Sequence, residues 1–336
     1  MTRIAVLMAL LVEYHGCTFL AGTSSRLRIG GGRGWVAGPP EMVVRPLARA
    51  GVLLLLMLAP LCVQAQIRVT DDQGNPVVLA RPAQRILSLA PHVTELLFAA
   101  GAGDRIVATV RHADHPPAAR ALPRVGDAHR LDRERIRVLR PDLIVAWASG
   151  TPARALEALR ALSVPLYLSE PRRLADIADN LRDFGRLAGT AEIAGPAAAV
   201  FEQRLATLRA RYRSAPRTPV FLQISLHPLM TVNGEHIISE VAALCSGENI
   251  FADLPQLAAR VSVEAVITAR PAAIVFGSQD GGQVRSVRDF WSQWPDLPAV
   301  RDNRLIAVPA DFLHRPTPRI LDGAEMVCRQ PGIGEP

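Results

Sequence analysis

Residues 131–145 read Leu-Asp-Arg-Glu-Arg-Ile-Arg-Val-Leu-Arg-Pro-Asp-Leu-Ile-Val, and residues 261–275 read Val-Ser-Val-Glu-Ala-Val-Ile-Thr-Ala-Arg-Pro-Ala-Ala-Ile-Val. At a single offset of 130 residues, with no gap, Glu134 falls on Glu264, Arg140-Pro141 on Arg270-Pro271 and Ile144-Val145 on Ile274-Val275. Each copy opens on a capping side chain, Asp132 or Ser262, and runs as a short helix that stops before its proline. An apolar run of buried-strand type follows. The period is too long for a solenoid, so the copies predict two similar α/β lobes, each presenting a glutamate in the first turn of a helix.

Working outward, strand and helix patterns alternate on both sides of each copy, which predicts mainly parallel sheets covered by helices. A polar-apolar alternation around Asp72-Gln73-Gly74-Asn75-Pro76 reads as a hairpin segment, residues 66–83. A first lobe is expected over 84–190. Thr190 then opens an uninterrupted helical stretch, 191–213, with apolar positions at Ile193, Ala197, Val200, Leu205, Leu208 and Tyr212. Some 22 helical residues reach ~33 Å, enough to cross from one lobe into the next and restrict bending between them. The second lobe is expected over 214–330, with a tail at 331–336. Ligands of open α/β sheets sit beyond the carboxyl ends of the strands. The loops there, including Asp311-Phe312-Leu313-His314-Arg315-Pro316 after the last strand, are the site candidates.

The formal charge is +7 and the chain contains no lysine, but residues 1–65 carry six arginines against two acids, so the remainder is nearly balanced. The arginines are scattered among alanine, leucine and proline, not interleaved with aromatics. That reads as solvated surface and argues against a nucleic-acid partner. From Met42, Arg45 and Arg49 form a basic region, residues 51–61 an apolar core, and Val63-Gln64-Ala65 a small-residue cleavage site. Residues 42–65 thus read as a secretory signal, too short to span a bilayer. Residues 1–41 would then be an extension lying before the true start, and Gly30-Gly31-Gly32-Arg33-Gly34 lacks the strand and helix of a dinucleotide fingerprint. Export permits disulfides. Cys245 and Cys328, both on expected helices of the second lobe, are either paired or two buried thiols.

The segments Ser88-Leu89-Ala90-Pro91 with Thr94-Glu95-Leu96, Asp114 with Pro116-Pro117, both repeat copies, Trp147 with Gly150, Val220-Phe221-Leu222-Gln223, Gly247-Glu248-Asn249-Ile250-Phe251 and Pro318-Arg319-Ile320 occur in this order. Together they resemble the vitamin B12-binding components of bacterial ABC importers, within the periplasmic iron-siderophore and cobalamin receptor superfamily. The resemblance covers residues 84 to about 330. It implies a class III periplasmic-binding architecture of two lobes joined by one long helix, and a monomeric carrier in the periplasm, not an enzyme. The carrier would need no cofactor, would bind cobalamin or a related corrinoid, and would deliver it to a permease dimer in the inner membrane. It places permease docking on Glu134 and Glu264, although each glutamate would also complement its helix dipole by ~0.3–1 kcal/mol. It places ligand contacts on His112, on Asp311, Phe312, Leu313, His314 and Arg315, and on Trp147 close by.

The chain departs from that family at three of these points. His112 stands where a tyrosine is expected, and Ala128 and Ala258 stand where tryptophans are expected. A ferric siderophore or haem on the same fold is therefore the alternative cargo. His112, Asp114, His115 and His129 raise a metal-ion receptor as a further rival, since imidazole and carboxylate suit zinc or iron. No Gly-x-Ser-x-Gly elbow, His-Glu-x-x-His pair or phosphate loop is present to support catalysis.

Overall fold

The computed structural model describes residues 66–127 and 130–334. The extension at 1–41, the signal at 42–65, Ala128, His129 and residues 335–336 lie outside the described residues. Strands β1 (Ile67–Thr70) and β2 (Pro76–Leu79) pair antiparallel. Their turn is held by Asp71, whose carboxylate accepts the backbone N–H groups of Gln73 (3.0 Å) and Asn75 (2.7 Å). The first lobe continues through β3 (Ile86–Ser88), α1 (Pro91–Ala99), β4 (Ile106–Ala108), α2 (Arg133–Leu139), β5 (Leu143–Trp147), α3 (Ala153–Arg160), β6 (Leu166–Ser169) and α4 (Leu174–Ala188). The linking helix α5 spans Ala191–Tyr212.

The second lobe follows with β7 (Thr218–Gln223), β8 (Met230–Val232), α6 (Ile237–Leu244), β9 (Gly247–Asn249), β10 (Ala258–Arg260), α7 (Val263–Ala269), β11 (Ala273–Ser278), α8 (Gly281–Trp291), α9 (Pro298–Arg301), β12 (Leu305–Pro309), α10 (Ala310–His314) and α11 (Ile320–Cys328).

The two main sheets are parallel and identically wound, with spatial orders β4-β3-β5-β6 and β9-β7-β11-β12. The repeat copies occupy the same place in each. Asp132 accepts the N–H of Arg135 at 3.0 Å to start α2, and Ser262 accepts that of Ala265 at 3.2 Å to start α7. Arg140 (φ 45°) and Arg270 (φ 47°) turn the chain through the left-handed region after those helices, and the following prolines prevent continuation. Both sheets bury their strands on two faces, and Leu143, Ile144, Val145, Ala273 and Ile274 are fully buried.

One continuous apolar cluster joins the lobes along α5. Its inward face is Ala194, Ala198, Phe201, Leu205, Leu208 and Tyr212. Gly185 allows α4 to press on α5, because a Cβ there would lie 2.3 Å from that of Ala194. Arg182 clamps the same pair through both carboxylate oxygens of Glu202 (2.8 and 2.6 Å), and Arg204 ties α5 to Asp322 and Glu325 of α11. The cysteines are joined in a disulfide between the end of α6 and the end of α11. Closing a loop with a sequence separation of 83 residues contributes roughly 4–5 kcal/mol in the chain-entropy account.

Several expectations need correction. Ile193 and Val200 are 55% and 65% exposed, so the N-terminal half of α5 packs on its alanines and Phe201, one step out of phase with the expected stripe. Gly247-Glu248-Asn249, which no strand pattern marks in the sequence, is a strand parallel to β7. Residues 310–314 form a short helix, not a loop, and the last helix starts at Ile320. Phe201→Ala should cost about 3–5 kcal/mol in denaturant unfolding, whereas Val200→Ala next to it should change stability by less than about 0.5 kcal/mol.

Candidate functional site

The carboxyl ends of the two parallel sheets open on a cleft between the lobes. At one end of it lies a cavity of about 380 Å³. His112 and Asp114, beyond β4, meet Ser278, the last residue of β11, with Gln279 after it, and Asp311 and Arg315, beyond β12. At the other end a cavity of about 760 Å³ sets Glu170 and Asp176 of the first lobe against Glu235, His236 and Glu240 of the second. Glu240 also accepts the backbone N–H of Leu174 at 2.5 Å, so a residue of the second lobe satisfies the N-terminus of α4.

Arg315 is the hub of the smaller cavity. Its side chain is only 14% exposed and reaches Asp114 Oδ1 (2.9 Å), the carbonyl oxygen of His112 (3.1 Å) and Asp311 Oδ1 (2.9 Å). Partial burial pushes the Asp114 carboxyl up, but the hydrogen bond and charge of Arg315 outweigh it and hold the group below the usual carboxylate range. His112 itself has φ 65°, a left-handed conformation that the surrounding contacts must maintain.

Just behind, Arg319 donates from Nε and Nη2 to the two oxygens of Glu95, both at 2.6 Å, and Thr317 Oγ1 donates to Glu95 Oε1 at 2.7 Å. Glu95 is buried on α1, so this bidentate pair crosses the lobes in a dry environment. Arg319 also lies over the ring of Phe312, 5.2 Å from its centroid.

The short helix α10 is positioned by Leu313, which is 1% exposed and belongs to the apolar core. Gly323 lets α11 approach it, since a Cβ there would lie 2.5 Å from the Phe312 carbonyl oxygen. Leu313 is thereby corrected from a cleft contact to the anchor that aims its neighbours. Asp311, Phe312 and Arg315 border the cavity with His112. His314 lies apart from them, with its ring against Gly277.

Trp147 ends β5 and does not border that cavity. It packs on Gly150 and stands edge-on to His92, with ring centroids 5.4 Å apart. Glu134 and Glu264 are far more open. Glu134 is 83% exposed with Arg137 at 3.3 Å, and hydrogen bonds from its own backbone N–H and the Ser262 hydroxyl hold the exposed Glu264 carboxyl below its ordinary range. Among the described residues no group of three or more His, Cys, Asp or Glu could hold a metal ion, and His129 lies outside them.

Sequence reasoning passed over Glu95, Arg319 and His92 as functional residues. A carboxylate directly before the Leu96-Leu97 pair, in a helix whose flanking residues are mostly apolar, was the available signal for Glu95. His92 is 3% exposed and its Nε2 has no hydrogen-bond partner. Burial first, and then the charge of Arg315, drive its pKa down to about 3.

Two identically wound lobes, one crossing helix and a cleft at the strand ends define a class III periplasmic binding protein. The periplasmic binding protein family matches residues 86–312, and this chain belongs to it. It is 41% identical over 257 residues to the vitamin B12-binding protein of Vibrio cholerae, covering 76% of this chain and 92% of that one. With the vitamin B12-binding protein of Yersinia pseudotuberculosis it shares 38% over 285 residues, covering 85% and 93%. The crystal structure of the periplasmic vitamin B12 binding protein BtuF of Vibrio cholerae superposes with a TM-score of 0.68 at 40% identity, over 74% of this chain and 96% of that one. The periplasmic heme-binding protein RhuT from Roseiflexus sp. RS-1 superposes with a TM-score of 0.63 at 26% identity, over 72% and 95%.

Neutral His92 gives the fold a specific pH response. The unfolded chain takes up this proton below pH 6.5 and the folded chain only near pH 3, so its contribution to stability is lost as the pH falls from 6.5 toward 3. In urea titrations the wild type should lose about 2 kcal/mol between pH 7 and pH 5 relative to a His92→Leu variant.

Proposed function

We propose that this chain is the substrate-binding component of an ABC importer, a carrier without catalytic activity. It captures cobalamin or a related corrinoid in the periplasm and delivers it to a permease dimer in the inner membrane. The observation that carries this reading is the 41% identity to a vitamin B12-binding protein over 92% of that protein's length. The cleft chemistry is compatible with it. A corrinoid is a broad apolar ring fringed with amides, and the cleft offers an indole, carboxylates, a guanidinium and side-chain amides around its border. In this reading His112, Asp311, Phe312 and Arg315 meet the ligand from one end of the cleft, with Trp147 on its floor and His314 at its side.

Glu134 and Glu264 serve delivery. They sit at equivalent first turns of α2 and α7, are exposed, and are fixed by caps rather than by the core. A pseudo-symmetric pair of carboxylates suits arginines repeated on a symmetric partner.

Titration of the mature protein with cyanocobalamin, a ferric siderophore and haem, followed by tryptophan quenching, should give micromolar or tighter binding for cyanocobalamin. Binding of haem or the siderophore with none of cyanocobalamin would replace the corrinoid by that cargo. Reversing both charges, Glu134→Lys with Glu264→Lys, should abolish association with the permease while leaving cyanocobalamin affinity within about twofold, a change of less than about 0.5 kcal/mol. A loss of ligand affinity instead would place these residues in ligand binding.

A further inference from the structure

The two copies of the repeat agree where they shape the fold and differ where they meet solvent. At the offset of 130 residues Arg130 matches Arg260, Glu134 matches Glu264 and Arg140 matches Arg270. The buried position of each helix is apolar in both, Ile136 in α2 and Val266 in α7. Three positions around the glutamates do not match. Arg133, Arg135 and Arg137 stand where the second lobe has Val263, Ala265 and Ile267. Over residues 130–140 five arginines stand against two acids, whereas over 260–270 two arginines stand against one.

These extra arginines share the surface with Glu134. Arg133, Arg135 and Arg137 are exposed, while Val263, Ala265 and Ile267 are half-buried. A helix rises ~1.5 Å per residue, so all three arginines are rooted within the ~8 Å screening length of physiological salt from Glu134. Arg137 lies three residues on, on the same helix face, and its Nη1 approaches Glu134 Oε1 at 3.3 Å. Arg154, at the start of α3, adds to this edge, since it lines one groove with Arg130 and Arg133. The corresponding helix of the second lobe, α8, opens on Asp280 instead. Among the described residues Glu264 has no ion pair, and its carboxylate is held by the Ser262 hydroxyl and its own backbone N–H.

A cationic partner therefore meets two different ends. A guanidinium arriving at Glu264 finds a carboxylate that no cation of this chain occupies. At Glu134 it has to share the carboxylate with Arg137 and enter the field of two further like charges. One exposed charge pair changes an affinity by about 1.5- to 5-fold, and here several act with the same sign. A twofold-symmetric partner cannot compensate, because it offers the same surface to both ends.

We infer that the receptor docks unequally, with Glu264 of the second lobe making the dominant contact to a cationic surface of the symmetric permease and Glu134, shielded by Arg133, Arg135 and Arg137, the weaker one. This rests on the docking role given above to the two glutamates and deepens it by weighting them. The encounter follows the same order, since exposed charges at the edge of an interface act mainly on the association rate.

The test measures association with the permease dimer in nanodiscs of zwitterionic phosphatidylcholine, where the arginines meet no anionic lipid. It compares the wild type, Glu134→Lys, Glu264→Lys, and a variant combining Arg133→Ala, Arg135→Ala and Arg137→Ala, each confirmed to be folded by its thermal unfolding midpoint. Glu264→Lys should weaken association about tenfold or more and Glu134→Lys less than about threefold. Removing the three arginines should tighten association about threefold or more, and on that background Glu134→Lys should weaken it as much as Glu264→Lys does. Equal losses from the two reversals in the wild-type background overturn the inference and leave the docking reading standing. A larger loss from Glu134→Lys, or weaker association of the three-arginine variant, also overturns it, the latter by showing that these arginines make attractive contacts of their own. If neither reversal changes association, the docking reading itself falls and the inference with it.

Discussion

The carboxylate of Glu95 is the constraint on which the cleft depends. It is buried on the first helix of the first lobe, where an ionised group costs several kcal/mol unless its partners are well placed. Those partners, Thr317 and Arg319, come from the far end of the chain and meet both of its oxygens. A buried pair of this kind is weak as a source of net stability but strict in geometry. It fixes where α11 begins, and through Gly323 and Leu313 it fixes α10, so Asp311 and Arg315 arrive opposite His112 and Asp114. The continuous apolar face of α5 sets the distance between the lobes, and Glu95 sets the register across the cleft.

The cleft is more electrostatic than a set of aromatic clamps would be. Ala258 replaces an expected tryptophan, and the aromatics near the cleft are largely engaged with one another or with the core. The guanidinium of Arg315 is shared among two carboxylates and a backbone carbonyl, so the cleft presents an already neutralised network instead of an isolated cation. Such a network holds fixed donors and acceptors, while apolar surface is found apart from it, at Ile224 and Phe276 of the second lobe.

Much of the architecture was legible because local signals agreed with one another. The caps Asp132 and Ser262, the helix stops before Pro141 and Pro271 and the apolar runs behind them all pointed to a duplicated helix-strand unit. The bounds of α5 were legible from Thr190 and an unbroken helical stretch, but its inward face was not. Alanines at 194 and 198 outcompete Ile193 and Val200 because close helix crossing at Gly185 rewards small side chains over hydrophobic ones. The strand at Gly247-Glu248-Asn249 was invisible to propensity, since its place is set by pairing with β7. For the cleft, the sequence indicated loops but not partners. The meeting of His112 with Arg315, and of Glu95 with Arg319, depends on pairings 203 and 224 residues apart that no local pattern encodes.

Because the chain passes between the lobes once, along α5, each lobe is a contiguous segment, and the first is complete in sequence long before the second has been made. A domain of that kind can assemble as it emerges. Glu95 is then in place on α1 before its partners Thr317 and Arg319 have been made. The final stretch of translation therefore completes an ionic contact across the lobes whose first member is made some 220 residues earlier.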